Sequence, residues 1–528
     1  YKRASKIYLD INKKEDSIMS ANRFNMMLQS LSKTSEPERV KAFMNSKRDE
    51  LTVELLENAE FNFELLAANA DDSTNLEIFN SNGNSNQADF SPSFYKNKLL
   101  FSSSRPQKAK KIYEPTGDSY LDIYVARIAE SGRIINPNTF ADLPDSKYHK
   151  STPQYSEDMG RLFYILSNAE DDQIFFDDNG KNALAIVMVY DGGFFRFLLR
   201  DLSTSFYYPF FDYDSGKLYF TANFDDGDGG TDIYYVYTNN GQIMSEPINL
   251  GPRINSSGNE ISPFIHDGSL YFSSDIFYGL GGMDVYKSNF QADESFSIPV
   301  NIGRGINSED DDFGFIIRAD EKKGFIGYFA SNRPGGLGKD DIYGFTMNQK
   351  PGLKTFAIKG KVVNLSSNRG IADAQVRLVG KDGEVIKELF TAADGDFRVE
   401  IPWQDEITIQ STKQGYSFFT ATYVEPALQD VQKNAFNMGI SAFEDLVEEA
   451  EGKTVLDIEK FFFARNRSDL TPAITAELDK VINAISRFPQ LQLQIETHTD
   501  SRGSGSTNKR VSEKRAEVIK NYLLQNGA

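Results

Sequence analysis

The sequence predicts a multidomain, mainly β protein: a helical N-terminal segment, a β-propeller of five blades or six, a β-sandwich, and an α/β C-terminal domain. Three observations predict it. Helical spacing of apolar residues ends near residue 66, and a unit of roughly 50–60 residues then recurs as far as residue 350. Alternating strands with Asp-Gly turns follow, and a β-α-β-α order closes the chain. A chain of 528 residues is too long for one core and is expected to hold three or four domains.

Residues 1–66 read as helices. Leu51, Leu55, Leu56 and Phe63 recur at helical spacing, as do Ile7 with Ile11, and Met26 and Met27 with Leu31. Pro37 sits where a helix can start. The pattern resembles the last part of a tetratricopeptide array; a short helical cap or linker is the other reading.

Residues 67–350 carry two linked repeats. In the first, a Pro-aromatic step precedes an aromatic strand: Ser91-Pro92-Ser93-Phe94 before Leu99-Leu100-Phe101, Thr152-Pro153 before Leu162-Phe163-Tyr164, and Tyr208-Pro209-Phe210-Phe211 before Leu218-Tyr219-Phe220. Ser262-Pro263-Phe264 before Leu270-Tyr271-Phe272 is the fourth copy, and Phe313-Gly314-Phe315 before Tyr328-Phe329 a diverged fifth. The second repeat is a Gly-rich loop leading to Asp122-Ile123-Tyr124, Asp232-Ile233-Tyr234, Asp284-Val285-Tyr286 and Asp341-Ile342-Tyr343; the copy near Val187 to Tyr190 lacks the Asp. Four short strands per unit describe a propeller blade. Five copies are present, and residues 61–80 with the tail of the region are candidates to close a sixth blade. The recurrent Asp is expected to accept backbone N–H bonds and fix its Gly turn. The repeats resemble the TolB-type WD-like propellers of bacterial envelope proteins.

Residues 356–440 alternate as strands, with Asp394-Gly395 and Gln414-Gly415 at turns, and read as a small β-sandwich. They resemble the carboxypeptidase regulatory-like domain, which implies a non-catalytic spacer. Residues 441–454, with Glu444, Asp445, Glu448, Glu449 and Glu451, read as an acidic linker.

Composition narrows function. A net charge of −19 argues against nucleic acid as a partner. With no Cys there is no disulfide, thiolate metal site or cysteine nucleophile, and the three His (His149, His266, His498) are too scattered for a zinc site or a catalytic triad. No catalytic residue, metal or cofactor is expected. The loops Asp225-Asp226-Gly227-Asp228 and Glu309-Asp310-Asp311-Asp312 offer paired carboxylates for a glycosidase. They read more simply as turns and solvated charge, and Val236 stands where an EF-hand needs its last Glu. The chain starts at Tyr1 without Met and is read as trimmed, and no apolar run reaches the ~18 residues of a membrane span.

In residues 455–528, a strand at Phe461-Phe462-Phe463 leads through Asn466 to a helix starting at Thr471-Pro472, with Ile474, Leu478, Val481, Ile482, Ile485 and Phe488 on one face. Leu491, Leu493 and Ile495 alternate as a strand, and a second helix turns Val511, Val518, Ile519, Tyr522 and Leu523 inward. Between them runs His498-Thr499-Asp500-Ser501-Arg502-Gly503. With Asn508, Ser512, Arg515 and Ala516 this matches the motif H-T-D-x-x-G-x-x-x-x-N-x-x-[LV]-S-x-x-R-A, so the segment resembles the OmpA C-terminal family. The resemblance implies binding of peptidoglycan through diaminopimelate, a zwitterion that suits an Asp for its ammonium and a planar Arg fork for its carboxylate. It assigns that pair to Asp500 and Arg515, with Asn508 and Ser512 ordering loop and helix and Thr499 adding a hydrogen bond. An Asp500–Arg515 salt bridge of purely structural purpose is the other reading. Thr497 replaces the Gly usual before the His, and Ala528 falls ahead of the family's last strand.

The order of parts resembles PorE-type periplasmic OmpA-family proteins of the type IX secretion and gliding apparatus. That resemblance implies a non-catalytic scaffold in the periplasm, associated with outer membrane and cell wall, that anchors outer-membrane or secretion and gliding complex proteins to peptidoglycan. The alternative is a wall-tethered sensor whose propeller binds a soluble ligand or glycan.

Overall fold

The computed structural model describes residues 20–33, 35–68, 75–170, 173–177, 180–190, 195–291, 294–425, 427–450, 453–464, 467–489, 491–500 and 504–527. Ile7 and Ile11 lie outside them. The chain divides into two compact units, Tyr1–Thr355 and Phe356–Ala528.

In the first unit, five antiparallel sheets follow one another as blades, four of them four-stranded and the third five-stranded. Their innermost strands are Asp89–Tyr95, Lys150–Ser156, Phe206–Asp212, Glu260–His266 and Asp312–Asp320. These carry the Pro-aromatic repeat, and each ladder slips register at the same place, after Phe90, Ser151, Tyr207, Ile261 and Phe313. The extra residue is Ser91, Thr152, Tyr208, Ser262 or Gly314, all with positive φ, from 44° at Thr152 to 67° at Gly314. A residue before proline ordinarily stays extended; here the bulge forces the left-handed turn and bends the strand. Only the fifth copy relieves that strain with a Gly.

The third strand of four blades begins at Asp122, Asp232, Asp284 or Asp341. Three of these carboxylates fix the preceding Gly loop: Asp232 accepts from the Asp228 and Gly229 amides, Asp284 from Leu280 and Gly281, and Asp341 from Leu337 and Gly338. Asp122 differs. It lies 3.1 Å from buried Lys150 and 3.7 Å from buried Lys110, whose ammonium burial holds down at about 8.

Each pair of neighbouring blades shares one apolar cluster, such as Phe163 and Met188 of the second blade with Phe211 and Phe220 of the third. The ring closes between the fifth and first blades through Tyr328, Ile326 and Ile342 with Leu99 and Phe101. Among the described residues no sixth blade forms. Glu77–Asn80 is the outermost strand of the fifth blade, antiparallel to Asp341–Met347, with Phe79 opposite Gly344. A Cβ at Gly344 would collide with the Phe79 ring, so the glycine seats the closing strand. Of the other candidate residues, 61–68 end a helix and 69–74 lie outside the described residues.

The N-terminal helices are α1 (Ala21–Ser32), α2 (Pro37–Asn45) and α3 (Val53–Ala68). Phe24, Met27, Leu28, Val40, Leu55 and Phe63 share a core with Phe272, Phe277 and Tyr278 of the fourth blade. Two fully buried amides secure α3: Asn58 and Asn62 both donate to the Pro299 carbonyl at 2.9 Å, and Asn62 accepts from the Asn301 amide at 2.7 Å. Asn62→Ala leaves the buried Asn301 amide unmet, while the Pro299 carbonyl keeps its bond from Asn58, and is expected to cost about 1–3 kcal/mol by urea unfolding. A loss under about 0.5 kcal/mol would show that α3 is held by apolar contact alone.

The second unit opens with a β-sandwich. One sheet holds Asp396–Pro402, Thr355–Asn364 and Phe436–Ile440, the last two parallel; the other holds Val385–Phe390, Gln375–Gly380, Glu406–Thr412 and Phe419–Val424. Phe356, Val362, Val376, Leu378, Ile407 and Ile409 fill the space between them. The expected acidic linker is partly ordered as a hairpin, Val447–Ala450 with Lys453–Leu456, because Val447 and Leu456 pair across it.

After it come α5 (Pro472–Arg487) and α6 (Gly505–Gln525); a short α4 (Ala427–Lys433) lies within the sandwich sequence. Phe461–Phe463 and Leu491–Ile495 join no ladder, contrary to their expected pairing as strands. Burial still alternates in the first, where Phe461 and Phe463 pack on the helices and Phe462 is 86% exposed; in the second Ile495 packs on the helices but Leu493 is exposed. Alternation sets which side chains face in, but a strand also needs a hydrogen-bonded neighbour.

Candidate functional site

The C-terminal site is built on two capped helices. Thr471 caps α5 through the Ile474 amide with Pro472 in the first turn, and Ser504 caps α6 through the Thr507 amide. Ile474, Leu478 and Val481 of α5 meet Ile519 and Leu523 of α6, and the Tyr522 hydroxyl donates to Asp479 at 2.8 Å.

Arg515 lies on this inward face, one turn before Ile519, and is only 9% exposed. Its Nε donates to the Arg467 carbonyl at 3.0 Å and an Nη to the Ala464 carbonyl at 3.1 Å; the guanidinium sits 4.9 Å over the Phe463 ring. Among the described residues no carboxylate lies within ion-pair distance of it, so an Asp500–Arg515 salt bridge is not formed. A guanidinium has five N–H donors; those bonded here go to neutral carbonyls, and no described carboxylate matches the charge.

Asp500 is exposed at the end of the 491–500 segment, and its carbonyl accepts from the Asn508 side-chain amide at 3.1 Å. Asn508 thus ties the loop to the first turn of α6. Ser512 donates back along the helix to the Lys509 carbonyl at 2.9 Å, while its own carbonyl accepts from Thr497 Oγ1 at 2.7 Å. The side chain that replaces the family's usual Gly therefore bonds to α6. Thr499 is half-buried and His498 exposed. Asn466 and Gly503 lie outside the described residues. Sequence reasoning missed the seat of Arg515: its carbonyl partners are 48 and 51 residues away in the chain, and no local pattern marks them.

Comparison with known families and structures adds the following. Residues 462–528 match the OmpA family. Curated protein sequences give no match. Among solved structures, an endo-arabinase from Bacteroides thetaiotaomicron is 14% identical, with 51% of this chain and 98% of that one covered and a TM-score of 0.32. An alpha-L-arabinofuranosidase from Lactobacillus brevis (11% identity, 50% and 94% covered, TM-score 0.34) and an exo-beta-1,3-galactanase from Clostridium thermocellum (11%, 66% and 87%, 0.33) are similar to a like degree. Likeness at this level carries no argument about activity, and the five blades stand on the sheet topology itself. The C-terminal segment is an OmpA-family domain, non-catalytic and of a kind that commonly binds peptidoglycan. No described helix is long and apolar enough to cross a membrane.

Proposed function

We propose that the chain is a non-catalytic periplasmic scaffold whose C-terminal domain holds the diaminopimelate of peptidoglycan stem peptides. The observation that carries this reading is Arg515, a buried cation with no carboxylate partner among the described residues. Burying an unmatched charge is costly; a ligand carboxylate would repay it through the remaining guanidinium donors. Asp500, exposed in the loop that Asn508 fastens, is the group for the ligand's ammonium. Thr499 lies beside it for a further hydrogen bond, and Ser512 and Asn508 keep α6 and loop in register. The propeller and its helices then hold outer-membrane or secretion and gliding components near the cell wall, as in the PorE-type proteins that the order of parts resembles.

The test is co-sedimentation of the full chain with purified sacculi. Asp500→Asn removes the anion at an exposed side chain and is expected to weaken pelleting about 30-fold or more, since loss of one member of a paired charge contact costs about 2–5 kcal/mol. Arg515→Ala should do the same while also freeing the Ala464 and Arg467 carbonyls. Asp500→Asn pelleting like the parent protein would sink the site assignment.

A further inference from the structure

The five inner strands enclose a funnel of about 390 Å³ on the propeller axis. Its narrow end is the ring of bulges. Tyr208 reaches across the axis from the third blade, so its hydroxyl lies near those of Ser91 on the first and Ser262 on the fourth. The Ser91, Thr152 and Ser262 hydroxyls have no hydrogen-bond partner of ordinary geometry, although these residues are only 6%, 4% and 7% exposed. The walls are aromatic: Phe94, Tyr155, Phe210 and Phe264.

The wide end is charged on one side. Glu157 and Asp158 of the second blade and Asp212 and Asp214 of the third line it. Facing them is Arg318, already stacked 4.2 Å over Phe94 and donating to the Lys96 carbonyl at 2.9 Å. His266 adds no charge near neutral pH, because burial, with Lys350 and Lys287 nearby, holds its imidazole below the usual range. Four carboxylates thus stand against one committed guanidinium.

We propose that this funnel docks a basic segment of a partner polypeptide, which plants one aromatic or apolar side chain on the ring of bulges and sets Lys or Arg against the rim of the second and third blades. The volume suits a single large anchor residue, the kind of buried contact that dominates interface energy. A polar tip on that anchor, such as a phenol, would meet the Thr152 hydroxyl and remove the penalty of leaving it bare. The one-sided rim gives the segment its direction and draws it in from solution. The proposal gives the scaffold a holding surface but does not depend on the C-terminal site, so a chain that failed to pellet with sacculi would leave it standing.

The test is calorimetric titration of the full chain with three capped peptides: Lys-Lys-Tyr-Lys-Lys, its Gly-centred version, and Glu-Glu-Tyr-Glu-Glu. The Tyr-centred basic peptide should bind saturably, and the other two at least tenfold more weakly. Its affinity should fall at least tenfold between about 20 mM and about 300 mM salt as screening shortens. It should fall as far in a Glu157→Lys, Asp158→Lys, Asp214→Lys variant, which alters only residues at the open mouth and should melt at the same temperature as the parent. Equal binding of the acidic peptide, an unaffected triple variant, no binding of any peptide, or binding only of a neutral oligosaccharide such as xylohexaose would each overturn it.

Discussion

Replacing Arg333 with Ala lowers the unfolding free energy of the propeller unit by an expected 3–5 kcal/mol or so, the usual cost of stranding one member of a buried ion pair. The inner strand of the fifth blade starts at Asp312, which is fully buried. Its carboxylate accepts from the Ser308 amide and hydroxyl, and Arg333 sits 2.5 Å away. Arg333 also donates to the Gly305 and Ile306 carbonyls and to Ser331, and stacks over Phe329 and Tyr343. Burial pushes the Asp312 carboxyl up, and Arg333 opposes that. Without the guanidinium, a dry carboxylate must protonate or admit water. Urea unfolding should show a lower midpoint with an unchanged slope, and the deficit should narrow as pH falls toward Asp protonation. A loss below about 1 kcal/mol would mean that the pair adds little beyond the hydrogen bonds around it. These residues correct one expectation: Asp312 reads in sequence as the end of a solvated acidic run, yet it is the most enclosed member of that run.

The fourth blade buries the equivalent acid with no Arg beside it. Glu260 occupies the position of Asp312 and accepts from the Ser256 amide and from the Ser256 and Ser274 hydroxyls. The first and fifth blades supply Arg105 and Arg333 two residues beyond the paired Ser; here that place is Ile276. Burial therefore pushes the Glu260 carboxyl up to about 8, against an ordinary value of 4.5. Since the folded state holds this proton more tightly than the unfolded chain, the stability it contributes is complete below about pH 4.5 and drains away as pH rises through about 8. The loss is on the order of 5 kcal/mol. Asp284, pushed up to about 7, and Asp340, up to about 6, act with the same sign, burial again being the main cause. Glu260→Gln keeps the shape of the protonated acid, so its melting temperature should decline less between pH 5 and pH 9 than that of the parent protein. Parallel curves for the two proteins would show that Glu260 does not carry the dependence.

The comparison of these blades also shows what sequence reading could and could not reach. The Pro-aromatic and Asp-Ile-Tyr repeats were visible because each blade solves the same packing problem with the same residues. The structural role of the Asp was legible because a carboxylate beside a Gly loop has few other uses. A third repeat was present but overlooked: Asn84-Ser85, Asn255-Ser256 and Asn307-Ser308, each four residues before the acid that its Ser holds. Each Asn brackets a third strand, as Asn255 does by exchanging bonds with the Ile233 amide and carbonyl. Its signal is a spacing of polar residues, which a search for apolar periodicity passes over.

The sequence by itself determined the repeat, hence the propeller, the alternation of the sandwich strands, the capped C-terminal helices and the motif of the OmpA-family domain. Those features are local, written in spacing, turn residues and side-chain chemistry within a few tens of residues. Only the tertiary structure decided that Glu77–Asn80 closes the fifth blade, that Arg515 rests on carbonyls rather than on Asp500, that Phe461–Phe463 forms no ladder, and which buried acid receives an Arg. Each of these depends on partners distant in the chain or on what fills the space beside a group. Desolvation and hydrogen bonding act through space, and a linear pattern does not record them.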